Sequence, residues 1–114
     1  MDIEYADKKL QKICDDRRSI LRKFGKQNGE KLMLRLNELK YAANLSEISI
    51  LPPPRRHELE NNRKGQFAVD LKHPYRLIFV PIDEITAISK PDNGFDVQKI
   101  TKIKILEVTD YHGK

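Results

Sequence analysis

The sequence predicts an α+β fold, with two N-terminal helices packed on one face of a small, mainly antiparallel, twisted sheet. Three observations predict it. Apolar residues recur at helical spacing through residues 7–43. From residue 66 the apolar pattern becomes that of strands, first alternating and then dense. Pro, Gly, Asn and Asp residues punctuate the strand-like runs, as in a meander. Helices followed by strands along one chain is the α+β arrangement. At 114 residues the chain has the length of one domain, spanning 1–114.

The elements follow in order. Ile3, Glu4 and Tyr5 predict a short first strand. Asp7 is an N-cap for a helix in which Leu10, Ile13, Cys14, Leu21 and Phe24 share helical spacing, and Gly25 is its C-cap. A second helix is predicted after Gly29. Leu32, Leu36, Leu39 and Ala43 form its apolar stripe, which packs on the sheet, while Glu30, Lys31, Arg35, Glu38 and Lys40 take the other faces. Residues 44–54 form a loop, because Pro52-Pro53-Pro54 suits neither a helix interior nor a central strand. That stiff segment delivers Arg55-Arg56-His57 to a defined place. Asn61-Asn62 and Lys64-Gly65 are turn signals. Phe67, Val69 and Leu71 then alternate with Gln66, Ala68 and Asp70, as in a half-buried strand. After a turn at Lys72-His73-Pro74, residues 75–80 read as a central strand whose only charge is Arg76, ended by Pro81. Pro91-Asp92-Asn93-Gly94 marks a turn inside a long excursion, 82–98, and residues 100–108 form the last strand. The sheet face away from the helices is then free to present side chains.

The charge balance is 22 Lys+Arg against 17 Asp+Glu, a net +5. This excess favours a polyanionic partner, which the balance alone leaves open as RNA, DNA or an acidic protein. One cysteine excludes a disulfide framework and suits a reducing cytoplasm; Cys14, within an apolar helical pattern, reads as core filler. No run approaches the roughly 20 apolar residues of a membrane span, and the first residues carry no apolar leader. A soluble, cytoplasmic protein without membrane association is expected. There is no Gly-rich phosphate loop, no CxxC and no HExxH, and three His with one Cys lack zinc-ligand spacing. No metal and no cofactor are expected.

Three groups of residues carry candidate chemistry. Asp110-Tyr111-His112 follow the last strand. If that strand stays extended, Lys102, Lys104, Leu106, Val108, Asp110 and His112 share one face, with Asp110 and His112 about 7 Å apart. An Asp beside a His orients the ring and stabilises its protonated form. His57 lies between Arg56 and Glu58, and cationic neighbours favour the neutral imidazole that a general base requires. Arg76 would be a guanidinium held rigidly on the sheet to grip a phosphate, and Arg63-Lys64, just before Gly65, would meet a backbone phosphate closely. The plainer alternatives are a polar strand end, a solvated histidine, an outward-facing arginine and a charged turn.

The order of these pieces is itself informative. Arg56-His57-Glu58-Leu59, Arg63-Lys64-Gly65-Gln66-Phe67, Tyr75-Arg76-Leu77-Ile78-Phe79 and Val108-Thr109-Asp110-Tyr111-His112 resemble the HigB-type killer toxins of the RelE/ParE superfamily of bacterial type II toxin–antitoxin systems. The helical first half resembles them in layout only. The resemblance implies a RelE-like, microbial RNase-like fold and a ribosome-dependent mRNA endonuclease acting in the ribosomal A site. The RNA 2′-hydroxyl attacks the adjacent phosphate and the 5′-oxygen leaves, with no metal. It implies that His57, Asp110, Tyr111 and His112 are catalytic, with His57 or His112 as acid and base and Asp110 orienting one of them. Arg63, Lys64 and Arg76 would bind the RNA phosphate. Glu60 stands where such toxins often carry Lys, leaving Lys64 as the substitute. The implied partners are a cognate helix-turn-helix antitoxin (HigA-like), mRNA in the A site, and the ribosome. Two alternatives stand beside this reading. One is a ParE-like gyrase inhibitor, which keeps the fold without the catalytic end group. The other is a non-catalytic nucleic-acid-binding module.

Overall fold

The structure, a computed structural model, describes residues 1–92 and 94–110. Asp7 is extended and its carboxylate accepts the Lys9 amide at 2.7 Å, so α1 (Lys8–Cys14) starts where expected. It does not run on to Phe24. Asp16 also turns extended and takes the Ser19 amide and hydroxyl, capping a separate α2 (Arg17–Phe24). Two expected helices before the loop are therefore three, because a second N-cap interrupts the apolar pattern without breaking it. Gly25, at φ +82°, closes α2 and opens α3 (Lys26–Tyr41). The third helix thus begins at Lys26, ahead of Gly29. Gly29 lies buried within it, where a Cβ would meet the side chains of Leu21 and Ile20 at 3.1 and 3.2 Å. What looks in sequence like punctuation is a close approach of α2 and α3.

The stripe on α3 buries Leu32 and Leu39 as expected. The helix ends at Tyr41, so Ala42 takes the core position and Ala43 is exposed. Arg35, assigned to a face other than the apolar stripe, is 1% exposed. Its Nε donates to the Asp70 carbonyl at 2.8 Å and its Nη1 meets Glu38 at 3.0 Å, so the buried cation is both paired and hydrogen-bonded. The amino nitrogen of Met1 donates to the Lys40 carbonyl at 2.8 Å, placing a cation at the favourable end of the α3 dipole.

The fold is α+β with a five-stranded, mostly antiparallel sheet. Its strands are β1 (Asp2–Tyr5), β2 (His57–Glu58), β3 (Phe67–Asp70), β4 (Tyr75–Pro81) and β5 (Lys102–Asp110), in the order β1-β5-β4-β3-β2. Of these strand pairs only β1 and β5 run parallel, in register at Ile3↔Ile103 and Tyr5↔Ile105. The last strand continues past Val108 to Asp110, opposite Tyr75. One sheet face carries Val69, Leu77, Phe79, Ile103 and Ile105 into the main core with Ile20, Leu32, Leu39 and Leu45. The 82–98 excursion contains a one-turn helix, α4 (Ile85–Ile88), and a bridge between Ser89 and Phe95 across the expected turn.

The other face is not free along its whole length. Ala68 and Ile78 are fully buried there beneath Leu59, with Leu106 alongside. Residues 57–66 fold back over the sheet, held by the Leu59 amide on the Gln66 carbonyl at 2.8 Å. This is why β3 is buried on both faces despite its alternating sequence. A register shift between Ile78 and Phe79 adds an extra residue to β5. Lys104 and Leu106 share the Ala68 face, but Val108 packs in the main core. The single face expected for Lys102 through Asp110 is therefore broken at the bulge.

Candidate functional site

Residues directly opposite one another in a ladder share a sheet face. His57 faces Ala68, Ala68 faces Ile78, and Ile78 faces Glu107; one dipeptide along, Asp70 faces Arg76 and Arg76 faces Thr109. His57, Asp70, Arg76, Glu107 and Thr109 therefore rise from the face away from the helices. His57 and Arg76 are two strands and two residues apart, about 12 Å between backbones by strand spacing and rise.

Contacts of Arg55 and Arg56, just after the proline run, hold His57. Arg56 donates from its amide to Ser49 and from Nε to the Ile48 carbonyl, both at 2.9 Å, and burial pushes its guanidinium pKa down. Arg55 sits at φ +47°, a left-handed conformation that costs a non-glycine residue about 1–3 kcal/mol. Its side chain clamps Asp70 in a fork, Nε to Oδ2 at 2.6 Å and Nη2 to Oδ1 at 2.9 Å. Its carbonyl meets His57 Nδ1 at 2.8 Å. A carbonyl only accepts, so Nδ1 carries the proton. The neutral ring then has its lone pair on Nε2, the state in which imidazole removes a proton.

The cations are unequal. Arg76 is half-buried, anchored in the middle strand of the sheet. Arg63 already has partners: Nη1 donates to Gln66 Oε1 at 2.7 Å and Nη2 is ion-paired with Glu107. It ties the 57–66 segment to β5 as much as it offers a phosphate site. Lys64 is exposed on a hollow of about 470 Å³ that it shares with Glu58 and Glu60, whose carboxylates offset its charge.

Asp110 does not join His57. The bulge turns it to the side of Val108, three strands from β2 and roughly 17 Å from His57 by the same spacings. Of the two rings that the resemblance offers Asp110 to orient, His57 is met instead by the Arg55 carbonyl, and His112 is the other. Asp110 Oδ1 is buried and accepts no hydrogen bond among the described residues. Tyr111 and His112 lie outside the described residues. Sequence reasoning missed Arg55, Asp70 and Glu107. The one signal for them is Asp70, a carboxylate in an otherwise apolar strand.

The face thus carries both an imidazole with a lone pair on Nε2 and, about 12 Å away between backbones, the guanidinium of Arg76, groups suited to proton removal and to binding an anion. No cluster of three or more His, Cys, Asp or Glu able to hold a metal occurs among the described residues. Among the same residues no helix is long and apolar enough to cross a membrane. No protein-family model matches the chain, and no curated protein matches it.

Proposed function

We propose that this protein is the toxin of a type II toxin–antitoxin system, a metal-independent mRNA endonuclease of RelE-like, microbial RNase-like fold that cuts mRNA in the ribosomal A site. The observation that carries the reading is the contact of His57 Nδ1 with the Arg55 carbonyl at 2.8 Å, which leaves Nε2 as the basic nitrogen, on the same face as Arg76. Nε2 takes the proton of the RNA 2′-hydroxyl. The 2′-oxygen attacks the adjacent phosphorus, the bond to the 5′-oxygen breaks, and that oxygen leaves with a proton from an acid, a role we assign to His112. Arg76, with Arg63 and Lys64 at the rim, stabilises the crowded phosphate charge. By the resemblance, Asp110 and Tyr111 belong to the catalytic set as well. A helix-turn-helix antitoxin would neutralise the toxin.

The distribution of charge supports an RNA partner. Residues 8–26 hold eight Lys+Arg against two Asp, a net +6, so the remaining residues sum to −1 within the chain's +5. All eight cations are exposed, and none is within 4.0 Å of a carboxylate among the described residues. The same feature favours a second reading, a non-catalytic nucleic-acid-binding module.

Purified protein added to translating ribosomes separates the two, with cut sites mapped by primer extension. Cleavage should appear and fall by about 10²–10⁴-fold in His57→Ala, as for removal of a general base. Arg76→Ala should slow it comparably. Salt-sensitive RNA binding without cleavage would establish the binding module instead. Relaxation of supercoiled DNA by gyrase should be unaffected, and its inhibition would point to the gyrase reading.

A further inference from the structure

We infer that Arg55 and Asp70 are positioning residues that set the tautomer of His57. The inference rests on the proposed role of His57 as general base and names what makes it one. Only one ring nitrogen of a neutral histidine can be the base, and the other must hold the proton. Here the proton is fixed by the Arg55 carbonyl, 2.8 Å from Nδ1. That carbonyl points at the ring because Arg55 is held at φ +47°.

Three contacts maintain this backbone turn. The Arg55 amide donates to the Leu51 carbonyl at 3.0 Å. The Arg55 guanidinium grips both oxygens of Asp70. The Asp70 amide donates to the Pro54 carbonyl at 2.8 Å, binding the residue before Arg55 to β3. Asp70 is in turn fixed from the core by the buried Arg35, which donates to its carbonyl. A continuous path thus runs from α3 through Asp70 and Arg55 to the imidazole. Asp70 does not face the ring as the acid of a triad would. It acts on the backbone, and the backbone acts on the ring.

The test is nitrogen NMR of His57 in full-length protein labelled at histidine, with cleavage on ribosomes measured in parallel. In the wild type, Nδ1 should resonate as a protonated nitrogen and Nε2 as an unprotonated one. Asp70→Ala should abolish this pattern, moving His57 toward the Nε2-protonated form, and the cleavage rate should fall by about 10–100-fold, the usual effect of removing an outer partner. Arg55→Gly accepts the positive φ without strain but removes the fork, so it should show the same shift even if Asp70→Ala folds poorly. Asp70→Asn, which keeps one acceptor for the fork, should restore part of both signals. A wild-type tautomer in Asp70→Ala or in Arg55→Gly overturns the inference and leaves His57 as the base. Cleavage that survives His57→Ala overturns the base assignment, while the tautomer result stands or falls on its own spectrum.

Discussion

His57 shows how little of a residue's chemistry lies in the residue. Its sequence neighbours are two charged residues, Arg56 and Glu58, yet the ring is oriented by a carbonyl two residues upstream. Cys14 shows the opposite case, where the plain reading suffices. Burial pushes its thiol up to about 11, and a hydrogen bond from the Tyr5 hydroxyl offsets only part of that. At pH 8 its thiolate fraction is about a hundred-fold below that of an ordinary cysteine. A chromogenic disulfide reagent should accordingly label native protein slowly and urea-unfolded protein fast. Asp83 is a third case. Burial alone would raise its carboxyl, but the Thr101 hydroxyl and the Thr101 and Lys102 amides outweigh this and hold it below the usual range. A depressed carboxyl contributes stability above its unfolded value near 4 and loses it as pH falls through the folded value. Solvent screens so exposed a group, so Asp83→Ala should cost only about 1 kcal/mol in urea unfolding at pH 7. The gap to wild type should close as pH is lowered below about 4.

Boundaries between elements are harder to read than the elements. The apolar periodicity of residues 10–24 is continuous through the break between α1 and α2, since Asp15 and Asp16 occupy positions that are exposed in either arrangement. Only the cap geometry of Asp16 separates them. Gly29 carries a punctuation signal, yet its value is steric. Gly29→Val should lower stability by about 1–3 kcal/mol, because the added methyls press on Ile20 and Leu21, which already lie 3.1–3.2 Å from a Cβ at this position. Thermal unfolding with Gly29→Ala alongside measures it, the alanine falling between the two because its helix preference offsets part of the clash. The 57–66 segment has no periodicity at all. Leu59 covers Ala68 and Ile78, and the Arg63–Glu107 pair fixes the cover, through contacts distant in sequence. A half-buried strand pattern in β3 gives no warning of that second layer.

Across the molecule, charge is segregated as sharply as hydrophobicity. The first turns of α1, α2 and α3 contain Lys8, Lys9, Arg17, Arg18 and Lys26 and no acidic residue. Cations there oppose the helix dipole, by about 0.3–1 kcal/mol each, so helix stability does not account for them. A polyanion does. Arg17→Glu with Arg18→Glu should leave the protein at least as stable as the wild type by thermal unfolding, since Glu suits a first turn. The same variant should bind RNA more weakly in fluorescence anisotropy. Its salt dependence should also be shallower, by about one unit of log–log slope for each phosphate it no longer neutralises. Weaker binding with an unchanged slope would place the RNA on another face.

The α+β class, the helical first part, the central strand around Arg76 and the basic excess are all legible in the chain, because periodicity, turn residues and charge are local quantities. The pairing of β1 with β5, the bulge that sends Asp110 away from His57, and the fork between Arg55 and Asp70 are decided only in three dimensions. A side-chain period of two makes face assignment depend on every residue between, so one extra residue in β5 reverses it. That is why the candidate residues can be named from sequence while the group that orients His57 cannot.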